Sequence, residues 1–378
     1  MRGRVPAELL VLALAVPPLA WAFRCDQAWL VRHWSLDTRT PWVGLLWRGG
    51  AVAVAAALAL VARPRVGRWV ERVGSAEALA SVTRMVLALV LALGVTEVVL
   101  RWKGRPKKHD LAGSSDPEMN EPDPRLGWVW KGPFTHTTTQ WGRTMNLAFD
   151  EHHDRVRAPD DGEDPARPTV LLVGESIMAG HGLTWDESLA GQVSAALGVQ
   201  VVTLGVVGYG CDQAFVRLFD ALPRFEHVVA VVTIFFPFLV ERVGWVDRPR
   251  LSFDGDVPVV TPPHPGFWAD LRVIRVLSDL LPYRDEASIE LTGEIFRQTD
   301  RLARGRGARA LFVTPQLGHG RPRGDAYLVD DLLTRQGLEV VDPEWDFEPL
   351  APGDLHPNAR STRTMAAAVV KALGGQLR

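Results

Sequence analysis

Three apolar stretches fill most of the first hundred residues, and they constrain the architecture more than any other feature. Leu9–Phe23 follows a basic start at Arg2 and Arg4 and contains Pro17-Pro18. Val43–Ala62 has one early charge, Arg48, and then a run of Ala, Val and Leu, while Met85–Leu100 carries Glu97 near its end. The apolar residues show no amphipathic period, unlike a surface helix with one buried stripe. A bilayer span needs roughly 17–25 such residues. Residues 1–102 are therefore expected to form a membrane region with two or three transmembrane helices, at 9–23, 43–62 and 85–100. The first stretch has two possible fates. Ala20-Trp21-Ala22 has the small-x-small form of a signal-peptidase site, so 9–23 is either a retained span or a cleaved leader. Arg48 and Glu97 stand near span ends, where headgroup exposure tolerates charge. Trp21, Trp42, Trp47 and Trp102 suit an interfacial belt.

Charge divides the chain. Residues 1–108 hold 16 Lys/Arg and 6 Asp/Glu, a net of +10, leaving 26 and 38 for residues 109–378, a net of −12. An acidic globular part lacks the positive footprint that nucleic acid requires, which excludes that partner. With three spans, seven Lys/Arg fall on one side and eight on the other. The basic start and the Arg-rich stretch 63–84 favour an internal N-terminus and a globular domain outside the cytoplasm. The two cysteines, Cys25 and Cys211, indicate neither a disulfide framework nor a metal site.

Residues 103–168 are expected to be a polar linker around one short β element, Leu126–Trp130. From residue 169 the pattern alternates. Strands are expected at Thr169–Val173, Val199–Leu204, His227–Phe235, Ala308–Val313 and Gly337–Val341. Helices are expected at Glu187–Leu197, Cys211–Leu222, Ala287–Arg306 and Ser361–Leu373. This predicts an α/β domain over 169–378 with a doubly wound, mostly parallel sheet, interrupted by a cap insertion at about 243–285. In such sheets sites form at the carboxyl ends of strands.

Three loops at those ends carry groups suited to nucleophilic ester chemistry. Val173-Gly174-Glu175-Ser176 sets a serine on a strand-to-helix turn, where its hydroxyl and its own N–H can face one substrate atom. Gly205-Val206-Val207-Gly208-Tyr209-Gly210 follows the next strand, and its glycines allow close backbone approach and positive φ. Asp354-Leu355-His356-Pro357-Asn358 precedes the last helix and joins a carboxylate to an imidazole. Each loop alone is more often an ordinary turn. Their order and placement together carry the signal.

That order resembles the SGNH/GDSL hydrolases, over about residues 120–378. Gly174-Glu175-Ser176 stands at the family's first block, Gly208 at the second and His356 at the last. Asp123-Pro124-Arg125-Leu126-Gly127-Trp128 is similar to a prefix of membrane-tethered members. The resemblance implies an SGNH/flavodoxin-like fold, Ser176 as nucleophile, His356 as base, Asp354 as its orienter, and an oxyanion site from the N–H groups of Ser176 and Gly208. It implies no metal and no organic cofactor. Three departures stand out: Glu175 replaces Asp, Asp354 precedes the histidine by two residues instead of three, and Phe236-Pro237-Phe238-Leu239 stands where the third block offers Asn. The expected function is a membrane-anchored esterase or acyl transferase acting on acyl esters of envelope glycans or lipids. The alternative is a weakly catalytic or inactive domain that binds an acylated or glycan ligand, or an envelope partner.

Overall fold

Strands buried on both faces of a parallel sheet read as near-continuous apolar runs, and two segments fit that pattern, each with a single threonine. In the computed structural model all five residues of Thr169–Val173 are buried, as are six of the seven in Val228–Ile234. The structure describes residues 4–24, 26–33, 42–103, 118–158, 161–243, 245, 248–262, 271–274, 276, 283–317, 323–344 and 347–374. The chain forms two units. One comprises Met1–Pro106 with Phe267–Tyr283 and Pro322–Gly324, and the other holds the rest.

The first unit is helical: α1 (Arg4–Arg24), α2 (Gln27–His33), α3 (Trp42–Ala56), a π-helical turn (Ala57–Ala62), α4 (Arg63–Val73) and α5 (Ser75–Trp102). Among the described residues, three helical stretches are long and apolar enough to cross a membrane: Arg4–Arg24, Leu45–Val73 and Ser75–Trp102. Their apolar side chains are mostly exposed, the state expected of surface that faces lipid instead of a protein core. α1 runs unbroken through Pro17-Pro18. At the end of α5, Arg272 Nη1 donates to the Leu100 carbonyl at 2.8 Å, and Glu97 accepts from the Val273 N–H at 2.9 Å. The first of these bonds satisfies a carbonyl that the helix terminus leaves open.

The second unit contains β1 (Asn120–Asp123), β2 (Gly127–Trp130), β3 (Phe134–Gln140), β4 (Arg143–Phe149), β5 (Arg155–Val156), β6 (Thr169–Val173), β7 (Gln200–Thr203), β8 (Val228–Ile234), β9 (Arg250–Asp254), β10 (Val257–Thr261), β11 (Arg309–Val313) and β12 (Glu339–Val341). Its helices are α6 (Leu189–Leu197), α7 (Cys211–Ala221), α8 (Leu239–Val243), α9 (Glu286–Gly305), α10 (Arg323–Leu332) and α11 (Ala359–Leu373). The main sheet runs β12-β11-β8-β6-β7-β5-β4-β3. Its β7, β6, β8, β11 and β12 are mutually parallel, in the 2-1-3-4-5 order of a doubly wound fold. α6 packs with α11, and α7 with α8 and α9, giving two helical layers. The α/β class expected from the sequence is the one observed.

The sheet does not start at Thr169. β3, β4 and β5 extend it antiparallel from a region expected to be linker. β3 alternates half-buried with exposed positions and is built mainly of threonine, so it lacks the apolar signal of a core strand. Trp141-Gly142 closes its hairpin with both φ positive, at 50° and 74°, as a two-residue I′ turn requires. Within the insertion at 243–285, β9 and β10 form a hairpin on a helical layer, where Phe253 meets Phe215 at 5.4 Å and Asp256 accepts from Gln298 at 3.2 Å. The cap expected over the site otherwise falls largely on 263–270, 275 and 277–282, outside the described residues.

Candidate active site

β6 lies between β7 and β8, where the strand order reverses, and a crevice opens at such a switch point. The chain leaves β6 through Gly174-Glu175 and brings Ser176 into that position. Beyond it the backbone winds into tight turns, with N–H to O bonds from Ala179 to Glu175 (3.0 Å), Gly180 to Ile177 (3.1 Å) and His181 to Ser176 (2.9 Å). Arg155 holds this coil from behind. Its guanidinium donates to the carbonyls of Ala179, Gly180 and Leu183 at 2.7, 2.6 and 2.6 Å. The residue is buried, and burial pushes its pKa down to about 10, which leaves it a cation at neutral pH.

The second loop packs directly on the first. Thr203 Oγ1 donates to the Met178 carbonyl at 2.8 Å, and a Cβ on Gly205 would stand 2.5 Å from the Ala179 nitrogen, so only glycine permits this approach. Gly208 adopts φ +85° at the turn. The aromatic prefix braces the loop. Trp130 and Trp128 donate their indole N–H groups to the Gly205 and Val207 carbonyls at 3.0 and 3.1 Å, and Tyr209 donates its hydroxyl to the Trp128 carbonyl at 2.5 Å.

The third loop is pinned at both ends of its short path. Leu350 N–H donates to the His356 carbonyl at 2.9 Å, and Asn358 caps α11 by accepting from the Arg360 and Ser361 N–H groups at 3.0 Å each. Asp354 Oδ1 stands 2.8 Å from His356 Nδ1 and also accepts from the Leu355 N–H at 2.7 Å. His356 Nε2 stands 2.9 Å from Ser176 Oγ. With Nδ1–H given to the carboxylate, a neutral imidazole presents its Nε2 lone pair to the serine hydroxyl. Ser176, His356 and Asp354 are thus brought into one line, and the two-residue spacing of the last pair still closes the hydrogen bond.

The third block supplies no amide. After β8, Phe236 is buried, Phe238 stacks on it at 5.5 Å, and α8 begins at once. α8 instead delivers Arg242, whose guanidinium lies 5.0 Å from the Phe238 ring centroid. Arg242 Nη1 donates to the Tyr209 carbonyl at 2.8 Å and is 3.8 Å from Glu175 Oε2. The same Glu175 oxygen is in short contact with Ser176 Oγ. Burial lowers the Arg242 pKa, and Glu175 opposes that shift.

Two further groups escaped the sequence reading. His181 lies with its ring centroid 4.7 Å from that of His356, and the Trp141 ring meets it edge-on at 5.6 Å. Burial, followed by the neighbouring His356, pushes His181 down to about 4, so it is neutral at neutral pH. His181 sits five residues after the serine in an otherwise apolar and glycine-rich turn, and that was its only signal. Arg242 had none, because its role depends on where α8 begins. Away from this site, Asp150, Asp154 and Glu163 lie close enough together to hold a metal ion. Arg217 and Arg224 already pair with Asp154 there, and Arg224 also reaches Glu163 at 3.1 Å.

No family model and no curated protein matches the chain. Solved structures do. A putative arylesterase from Agrobacterium tumefaciens aligns at 15% identity and TM-score 0.34, covering 55% of this chain and 99% of that one. A carbohydrate acetylesterase from Sinorhizobium meliloti aligns at 13% identity and TM-score 0.35, with the same coverage. A GDSL-like lipase from Bacteroides thetaiotaomicron aligns at 14% identity and TM-score 0.32, covering 55% and 88%.

Proposed function

We propose that the second unit is a serine ester hydrolase of the SGNH/GDSL type, tethered by the first unit to a membrane. One observation carries this: a serine at a strand-to-helix turn, an imidazole 2.9 Å from its oxygen, and a carboxylate 2.8 Å from the far ring nitrogen. His356 Nε2 takes the Ser176 proton as Oγ attacks the acyl carbonyl, and the imidazolium is stabilised by Asp354. The carbonyl oxygen becomes an oxyanion facing the N–H groups of Ser176 and Gly208. Collapse expels the alcohol, which takes the proton from His356 and leaves an acyl-serine. Water, or an acceptor hydroxyl in a transferase, then attacks that ester with His356 again as base.

The substrates proposed are acyl esters of envelope glycans or lipids, reached from a membrane tether. The basic start and the Arg-rich stretch 63–84 favour placing the domain outside the cytoplasm. A phosphatase fused near Asp110 should be active, and an inactive phosphatase fusion paired with a fluorescent cytoplasmic reporter fusion would reverse the orientation. The test of the activity is hydrolysis of p-nitrophenyl acetate by the detergent-solubilised chain, abolished in Ser176→Ala. The absence of an amide at Phe236-Pro237-Phe238 favours a second reading, a domain that binds an acylated ligand without turnover. An inert wild-type protein in the same assay would support that second reading.

A further inference from the structure

Ser176 has one hydroxyl proton and two acceptors beside it. His356 Nε2 is 2.9 Å from Oγ, and Glu175 Oε2 is in short contact with the same oxygen. Only transfer toward His356 leads to acylation in the proposed reaction. Glu175 is also a poor neighbour for the transition state. Both residues are buried, at 3% exposure for Glu175 and 5% for Ser176, and attack creates an oxyanion beside a carboxylate. Like charges in so dry a place repel strongly.

Arg242 is positioned to cancel that charge. Its Nη1 faces the very Glu175 oxygen that touches the serine, at 3.8 Å, and is fixed by its bond to the Tyr209 carbonyl and by the Phe238 ring beneath it. It is carried by α8, which begins directly after the loop where the resembled family carries its amide donor. We infer that Arg242 is a positioning residue that acts through Glu175: it compensates the carboxylate, leaves the Ser176 proton to His356 and keeps the oxyanion site free of uncancelled negative charge. This inference rests on the esterase reading above.

The test uses the full chain in detergent with p-nitrophenyl acetate, comparing wild type, Arg242→Met, Glu175→Gln and the double variant. Arg242→Met should lower kcat on the order of 10- to 100-fold with KM changed less than about twofold. The double variant, which removes both charges, should recover to within about threefold of Glu175→Gln, although it still lacks the bond to Tyr209. A role limited to holding the Tyr209 carbonyl predicts no such rescue. A folded double variant as slow as Arg242→Met overturns the inference, as does an Arg242→Met protein with unchanged kcat. If Arg242→Met does not fold, an active double variant still supports the inference, and a double variant that is inactive or unfolded overturns it. Wild-type protein that neither turns over ester nor reacts with a fluorophosphonate sinks the esterase reading and this inference together. An active wild type without rescue sinks this inference alone.

Discussion

His356 Nε2 and Ser176 Oγ stand 2.9 Å apart although 180 residues separate them in the chain. Two loops at the carboxyl ends of the sheet make that meeting, and Asp354 aligns the ring from its other side. His356→Ala should therefore lower kcat for an activated ester by about 10³–10⁴, and Asp354→Asn by about 10²–10⁴, both with intact thermal unfolding. Steady-state kinetics check this. Activity within about tenfold of wild type in either variant would separate that residue from the chemistry.

Arg155 should matter to the fold more than to substrate affinity. Replacing it with Met leaves the Ala179, Gly180 and Leu183 carbonyls without their donor in a buried turn. The expected loss is roughly 3–5 kcal/mol in urea unfolding. Arg155→Lys should recover only part of it, because an ammonium cannot reproduce the planar fork. Equal stability of the Met variant and wild type would contradict this.

His181 should make the globular unit acid-sensitive. Its folded pKa of about 4 lies below the ordinary histidine value of about 6.5, so below that value the unfolded chain takes up a proton first. Stability contributed by the neutral ring is complete above about pH 6.5 and is lost as pH falls toward 4, by about 3 kcal/mol in all. His181→Phe should lose correspondingly less between pH 7 and 4 in unfolding measurements. Parallel pH curves for the two proteins would refute the assignment.

If the missing amide limits the rate, restoring it should help. Phe238→Asn should raise kcat about tenfold or more with KM little changed, offset in part by loss of the ring beneath Arg242, and Pro237→Asn, which keeps that ring, is the neighbouring control; one oxyanion donor is worth about 10²–10³ when removed elsewhere. No gain at either position, alongside wild-type turnover typical of good esterases, would show that another group fills the place.

The parallel core was legible because its strands are apolar on both faces and its helices are amphipathic, and Ser176 and His356 were legible from the loops that follow them. β3 to β5 were not: β3 is mostly threonine, β5 spans two residues, and the buried Met145, Ala148 and Phe149 of β4 keep no period of two. Arg155 shows why. It lies within a charged run, Asp154-Arg155-Val156-Arg157, yet is buried because three carbonyls from a turn 24 to 28 residues later converge on it. Arg242 and Glu175 likewise acquire meaning only once α8 and the serine turn face each other. Periodicity reports which face is apolar. It does not report which polar groups will be enclosed together.

The most direct test of the central claim is to treat the full-length protein with a fluorophosphonate and map the adduct by peptide mass spectrometry. The account predicts one modified residue, Ser176, with labelling lost in Ser176→Ala and slowed in His356→Ala. A folded wild-type protein that takes up no label, or carries it on a residue other than Ser176, would contradict it.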